Sequence, residues 1–200
     1  VMEMEADRML NLKLAEKEVL TERDVILEER RSRIENNPGS VLDEQMSAAL
    51  YQNHPYGIPV IGWMHEIAKL SREDALSFYK RYYAPNNAIL VVSGDVTPAE
   101  VKTLADQIFG SLKPSDAIKS RVRPKEPEHR AARRLELRDA RAGKPTLYRY
   151  YLAPSYLTAD KGDAEALELM MKIAAQGATS RLYQKLVVDD KVASSAGGWY

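Results

Sequence analysis

The sequence contains no cysteine, and this absence excludes disulfide bonds, thiol nucleophiles and iron–sulfur clusters among its 200 residues. It also contains no long apolar run. The longest one, Ala88–Val92, is far shorter than the ~20 residues that a membrane-spanning helix needs. Neither charge sign is in excess, since 29 Lys and Arg balance 29 Asp and Glu. A net charge of zero argues against a general polyanion-binding protein.

Composition and length indicate a folded chain of one or two domains. Apolar residues make up 44% and charged residues 29%, a balance that permits a sizeable core and is not typical of disorder. Residues 1–5 are acidic where a secretory signal would be basic, so we do not expect them to begin such a signal. The sequence begins at Val1 and ends at Tyr200 in mid-pattern, so we expect it to be a piece of a longer protein.

Charge is distributed unevenly along the chain. Residues 1–50 hold 12 acidic and 7 basic side chains, whereas residues 119–149 hold 11 basic and 4 acidic ones. We interpret residues 111–132 as a basic, proline-containing surface linker between two folded units, 1–110 and 133–200. A basic docking strip for a polyanion is the alternative, although the linker lacks the interleaved aromatic residues that stack on nucleic-acid bases.

Helix signals are frequent. Residues 3–36 are predicted to be mostly helical with a break near Asn11–Glu18, and Thr21 is the predicted N-cap of the second part. Ser71 and Thr97 are predicted N-caps of two further helices. Apolar residues at helical spacing predict the remaining helices at about 40–51, 163–175 and 180–188.

Four segments carry strand-like patterns. Their apolar residues run together or alternate, as in buried or half-buried strands, at 88–93, 133–138, 146–152 and 192–200. Helices and strands in mixed order predict an α+β fold, a sandwich of a mixed or antiparallel sheet with helices. Part of the pattern recurs after the linker. We therefore expect a repeated domain that is incomplete in these 200 residues.

Glu22 and Glu29 are the strongest chemical candidates in the sequence. They are seven residues apart, which is two helical turns, so both carboxylates point from one face of the predicted helix. Glu28 is rotated by about 100° from Glu29. A helix-borne carboxylate is a common zinc ligand or proton handler. The same spacing also occurs on solvated helix faces, so spacing alone leaves both interpretations open.

No other catalytic motif is present. The three histidines, His54, His65 and His129, are not at metal-binding spacing, and neither H-E-x-x-H nor H-x-x-E-H occurs. G-x-S-x-G, phosphate-loop and G-x-G-x-x-G motifs are also absent. We interpret the histidines as structural or surface residues. Residue chemistry alone thus predicts a folded α+β protein and little about its function.

Three stretches together resemble the pitrilysin/insulinase family of zinc metallopeptidases, which includes bacterial members and the mitochondrial processing peptidases. Residues 22–29 are similar to the E-R-x-x-V-x-x-E helix of that family. A second block, specific in its order and spacing, runs from H-P-Y-G at 54–57 through Y-Y-A-P-N-N at 82–87 to V-S-G-D at 92–95. The third, S-R-L-Y at 180–183, is similar to a helix of the family's second repeat.

The resemblance implies paired, similar α+β domains that close like a clamshell on a peptide. In this family, two histidines of an inverted H-x-x-E-H helix and a glutamate from a downstream helix bind zinc. The glutamate within that motif activates the zinc-bound water. By resemblance, Glu29 matches the third zinc ligand. Glu22 matches an additional acidic residue, two turns earlier, that supports the site without holding the metal.

The H-x-x-E-H helix is missing from the sequence, and by resemblance it should precede Val1. We therefore expect a piece of a zinc endopeptidase that hydrolyses peptide bonds with metal-activated water. The piece would hold the latter part of the first repeat, the linker and the start of the second repeat, and it would be inactive and free of zinc on its own. The alternative is a non-catalytic homologue that serves as a subunit or substrate holder.

Expectations about partners follow from the same resemblance. It implies a peptide or protein substrate, and a homologous subunit or a second copy as partner. Composition favours neither a nucleic-acid partner nor a membrane span. Substrate-binding residues are not predicted. The lack of cysteine is compatible with the bacterial periplasm, where bacterial members of the family are often found.

Overall fold

The regular structure of the chain is entirely helical. The computed structural model describes all 200 residues. Its eight α-helices are α1 Met2–Asn11, α2 Glu16–Arg30, α3 Pro38–Leu50, α4 Met64–Ile67, α5 Arg72–Tyr82, α6 Pro98–Ile108, α7 Asp163–Ala175 and α8 Arg181–Tyr183. π-helical turns follow α2 and α8, at Arg31–Glu35 and Gln184–Asp189. Two compact units form, Val1–Thr146 and Leu147–Tyr200. None of the helices is both long and apolar enough to cross a membrane.

The predicted α+β fold class is wrong, because no strand forms in the 200 residues. The four segments with strand-like patterns, 88–93, 133–138, 146–152 and 192–200, have no regular structure. A strand needs a second one that accepts and donates its backbone hydrogen bonds, and none of these segments has such a partner within the chain. Ile89 is consequently almost fully exposed.

Helices begin where the sequence supplies a side-chain cap. The Ser71 hydroxyl accepts a hydrogen bond from the Asp74 N–H (3.2 Å), and the Asp74 carboxylate accepts one from the Ser71 N–H (2.9 Å). Thr97 and Glu100 form the same reciprocal pair at the start of α6. These caps satisfy backbone donors that the first helical turn leaves free. Both predicted N-caps are confirmed.

The break between α1 and α2 is confirmed, but the predicted N-cap Thr21 is wrong. Helix α2 already begins at Glu16, since the Glu18 carboxylate accepts a hydrogen bond from the Ala15 N–H (2.9 Å) and fixes the first turn. The consequence is a continuous 15-residue helix that includes both candidate glutamates.

The first unit has a thin interior. Its buried apolar residues are Ala6, Ile67, Tyr79 and Ala84. The Tyr79 hydroxyl joins α5 to the end of α1, because it donates to the Arg8 carbonyl (3.0 Å) and accepts from the Leu12 N–H (3.2 Å). Helix α2 packs against α4 and α5. Much of the apolar content is exposed instead, so the sizeable core that composition permits does not form.

The second unit is organised around α7. Ala164 and Ala175 of this helix are buried, and the Gly198 N–H donates to the Ala175 carbonyl (3.0 Å). A Cβ atom on Gly198 would lie 2.9 Å from Cε of Met171, so a larger residue there would require the end of the Met171 side chain to shift. The hydrogen bond from Tyr156 to Glu168 of α7 raises the pKa of Tyr156 to about 12.

Candidate functional site

Glu22 and Glu29 lie on one face of α2. Seven residues of helix rotate the chain to within about 20° of the starting direction and advance it by about 10 Å. Oε1 of Glu29 lies 2.9 Å from Nη2 of Arg33, and 41% of the Glu29 side chain is exposed. Glu22 is exposed and forms no ion pair. Both carboxylates are therefore accessible, and neither holds the interior together.

Glu28 differs from Glu29 in direction but has similar local chemistry. Its Oε2 lies 3.1 Å from Nη1 of Arg31, and 70% of the side chain is exposed. Each glutamate thus pairs with an arginine one turn later on the helix. Exposed pairs of this kind contribute only about 0.3–0.5 kcal/mol. Glu28 is for that reason a matched control for Glu29.

Arg30 connects α2 with α3 and with the turn before α4. Only 3% of its side chain is exposed. Its Nη1 donates to the Gly62 carbonyl (2.7 Å), and its Nη2 donates to Oε1 of Glu44 (2.9 Å). Its Nε lies 3.2 Å from Oε1 of Glu35. The hydrogen bond to Glu44 raises the pKa of Arg30, and burial, which opposes this change, does not cancel it.

The backbone conformation of the turn at Gly62 fixes the position of the Gly62 carbonyl, which Arg30 binds. Gly62 has a φ of +87°, a left-handed conformation that favours glycine. Its N–H donates to the Pro59 carbonyl (2.8 Å), which closes the turn. The position of the Gly62 carbonyl is therefore set by the backbone of the turn as well as by its contact with Arg30.

The histidines occupy separate loops and a short helix. Nδ1 of His54 accepts a hydrogen bond from the Tyr56 N–H (3.2 Å), His65 lies in α4, and Nε2 of His129 lies 3.3 Å from Oε1 of Glu126. The chain brings together no group of three His, Asp or Glu side chains that could hold a metal ion. Around the accessible Glu29 carboxylate, therefore, the chain supplies no set of three ligands of the kind that catalytic zinc sites use.

Glu126 fastens the basic segment to the loop after α3. Its carboxylate accepts hydrogen bonds from the backbone N–H groups of Gln52 (2.5 Å), Asn53 (3.0 Å) and His54 (2.9 Å). Burial raises the pKa of the Glu126 carboxyl, but these donors and His129 outweigh it and lower the pKa to about 2. We call this arrangement the Glu126 clamp.

The Glu126 clamp and further hydrogen bonds attach the predicted linker, 111–132, and the residue after it to the rest of the first unit. Asn86 and Ser115 exchange two hydrogen bonds (3.1 and 3.0 Å), and Nη1 of Arg133 donates to the Ala49 carbonyl (2.7 Å). The compact units accordingly divide after Thr146. The assignment of the segments before and after the linker to two repeats of one domain stays a prediction.

The Glu126 clamp is expected to persist at pH values where ordinary glutamates are protonated. Its folded pKa of about 2 is below the usual value. The clamp therefore stabilises the folded state above the ordinary glutamate pKa of ~4.3, and this contribution is lost as the pH falls through about 2. NMR shifts of the Gln52, Asn53 and His54 amide protons should titrate with that low midpoint. Glu126→Gln is the control and should abolish the titration, whereas a midpoint near the ordinary value would contradict the clamp.

Sequence reasoning missed Arg30, Glu44 and Glu126. A signal existed for Arg30, because it lies four residues from both Ile26 and Ile34 and so falls on the apolar stripe of the helix. A charged residue on such a stripe indicates a buried ion pair. No signal existed for Glu126, whose backbone partners lie 72 to 74 residues away in sequence.

The chain is similar to proteins of a peptidase family. Residues 69–200 match a family model described as the Peptidase M16 inactive domain. The chain is 34% identical over 197 residues to the zinc protease PqqE of Helicobacter pylori, covering 98% of this chain and 44% of that protein. Over 110 residues it is 33% identical to the probable mitochondrial-processing peptidase subunit beta of Schizosaccharomyces pombe, covering 55% of this chain and 24% of that protein.

A solved structure is similar over the same extent. The crystal structure of a protease from Helicobacter pylori matches with a TM-score of 0.66 and 31% identity, covering 98% of this chain and 47% of that one. The chain thus spans less than half the length of these relatives. The similarity to PqqE extends over nearly the whole chain, whereas the family model begins after α2.

Proposed function

The chain belongs to the peptidase M16 family, and on that premise we propose that its parent protein is a zinc-dependent endopeptidase in which Glu29 is a metal ligand. The resemblance to zinc metallopeptidases, found in the motifs of the sequence, is confirmed at the level of the family. A relative that aligns with nearly the whole chain is named a zinc protease. Another, which aligns with about half of the chain, is named a processing peptidase subunit.

One observation supports the proposal most directly: Glu29 presents an accessible carboxylate two turns after Glu22 on the same helical face, in a region similar to a zinc protease. Glu29 would bind the metal through a carboxylate oxygen. The Arg33 partner of Glu29 would have to release it, at small cost because the pair is exposed. Glu22 would orient the site from two turns earlier without touching the metal.

Zinc, when bound in such a site, polarises the scissile carbonyl and lowers the pKa of a bound water. The task of this chain is to hold one anionic ligand on a helix whose last turn is anchored in the interior by Arg30. The two histidine ligands and the general base are proposed to come from an H-x-x-E-H helix elsewhere in the parent protein. The substrate is proposed to be a peptide or protein, and the partner a homologous subunit or a second copy.

A non-catalytic homologue that holds substrate or serves as a subunit is the second candidate. The observation that favours it is the description of the family model, an inactive domain, which covers residues 69–200. The sequence encoded before Val1 in the parent separates the two candidates, because only a zinc endopeptidase requires the H-x-x-E-H helix there.

The 200-residue chain on its own is expected to retain no zinc after dialysis at neutral pH and to cleave no peptide. One carboxylate cannot replace the three protein ligands that catalytic zinc sites use. The parent should retain zinc and lose activity with a chelator. The measurement is metal content by mass spectrometry with hydrolysis of a fluorogenic peptide. Stoichiometric zinc in the 200-residue chain would contradict the ligand assignment, and a parent without zinc or activity would favour the non-catalytic homologue.

A further inference from the structure

The carboxylate of Glu29 is not held in place by its own contacts. Its ion pair with Arg33 is exposed, and such i,i+4 pairs contribute only about 0.3–0.5 kcal/mol. The direction of this side chain therefore depends on the backbone of the last turn of α2. That turn is a junction, because α2 ends at Arg30 and a π-helical turn, Arg31–Glu35, follows at once. π-helical turns are rare and are frequent at functional sites.

Arg30 anchors this junction from the inside. Its Nη2 donates to Oε1 of Glu44 of α3 at 2.9 Å, and its Nη1 donates to the Gly62 carbonyl at 2.7 Å and lies 2.8 Å from Oε2 of Glu44. Glu44 is buried as well, with 8% of its side chain exposed. Arginine is suited to this task because its planar guanidinium fork can donate to two acceptors at once, here the Glu44 carboxylate and the Gly62 carbonyl. The last residue of α2 is thus bound to two other elements of the same unit.

The anchor controls where Glu29 points. Side chains of adjacent residues on a helix point about 100° apart around its axis. When the contacts of Arg30 hold its side chain toward the interior, the direction of the Glu29 side chain is therefore fixed as well. A rotation of the turn by about 20° would move a carboxylate about 6 Å from the helix axis by about 2 Å. Metal–ligand distances tolerate deviations of only about 0.2 Å. A small loss of rotational order at Arg30 would therefore disturb a metal site at Glu29 severely.

We propose that Arg30 is a positioning residue of the zinc site, which sets the rotation of the last turn of α2 through Glu44 and Gly62 and thereby aims Glu29. This inference rests on the proposed function, since it needs Glu29 to be a ligand. It also predicts a property of the chain without metal: the π-helical turn after Arg30, closed by the bond from the Asn36 N–H to the Arg31 carbonyl (2.9 Å), is ordered by the same anchor.

The test compares Arg30→Met, Arg30→Lys and Tyr79→Phe in the complete parent protein. Tyr79→Phe is the matched control, because it removes two buried hydrogen bonds of the same unit between α1 and α5. Arg30→Met should weaken zinc binding by about 10–100-fold, as loss of a residue behind a metal ligand typically does. Arg30→Lys, which keeps the charge but not the fork, should lie between Arg30→Met and the unaltered protein. Tyr79→Phe should lower the melting temperature and leave the zinc dissociation constant unchanged.

Equal zinc affinity in Arg30→Met and the unaltered parent would overturn the proposal. If Arg30→Met does not fold, Glu44→Gln replaces it, because it keeps the side-chain volume and removes the charge; unchanged affinity in that variant is equally decisive. A parent that binds no zinc would instead overturn the proposed function. Hydrogen exchange on the 200-residue chain distinguishes the two failures. Arg30→Met should lose amide protection at residues 31–36 and not in α5, and retained protection would overturn the role of Arg30 itself.

Discussion

Glu29→Gln is expected to remove most of the bound zinc and most of the peptidase activity of the complete parent protein. A neutral amide is a poorer ligand for a divalent cation than a carboxylate, and the change alters one of only three protein ligands. Glu22→Gln should act more mildly, by about 10–100-fold, because the ligands themselves remain. Glu28→Gln should do least, since it points about 100° away from the shared face.

Comparing Glu29→Gln with Glu28→Gln separates the loss of a metal ligand from the loss of a surface ion pair. Both side chains are exposed and each pairs with an arginine of the following turn, so both substitutions remove the same kind of weak surface interaction. Circular dichroism should show intact helices in all three variants. Metal content and peptide hydrolysis are the measurements. Loss of zinc in Glu28→Gln alone would place the ligand one residue earlier, and retention of zinc in all three would favour the non-catalytic homologue.

Local signals predicted the helices well. The caps at Ser71 and Thr97 involve partners only three residues away, so the sequence itself contains all the groups that form the structure. The same holds for the shared direction of Glu22 and Glu29, which follows from helical geometry alone. Such features can be predicted because no distant part of the chain takes part in them.

The predicted strands failed for the opposite reason. An apolar, β-branched run such as Ala88–Val92 indicates a strand only if another segment pairs with it, and no segment of these 200 residues does. The apolar content of the sequence led to the wrong expectation of a sizeable core for the same reason. Composition does not show which apolar side chains will pack against others. Many apolar side chains are exposed, and the interior of the first unit is correspondingly thin.

The role of Glu29 as a zinc ligand stays a prediction, and the contacts behind it were not predicted. The ligand candidate Glu29 came from a motif, whereas its anchor lies in the next residue and went unnoticed, although Arg30 falls on the apolar stripe of the helix. Its partner Glu44 is 14 residues away on another helix, and spacing does not reveal such a contact. The Glu126 clamp depends on still longer separations, so only the fold brings its groups together.

Glu44→Leu is expected to destabilise the first unit of the 200-residue chain by about 3–5 kcal/mol. The substitution leaves the Arg30 guanidinium buried without its main counter-charge, and removing one partner of a buried pair costs far more than the net value of the pair. Glu35→Gln is the matched control. It alters the third group near Arg30, but Glu35 is exposed at 41%, so the expected cost is below about 1 kcal/mol.

The double substitution Arg30→Met with Glu44→Leu should recover much of the loss, because a buried ion pair replaced by apolar residues of similar volume is often neutral or stabilising. Urea unfolding in a Trp199→Phe background measures this, since Trp63, beside the Gly62 carbonyl that Arg30 binds, then remains as the only tryptophan. If Glu44→Leu lowers the free energy of unfolding no more than Glu35→Gln does, the Arg30 guanidinium must reach solvent in the variant. A double variant as unstable as Glu44→Leu alone would mean that packing around α3, rather than charge, explains the effect.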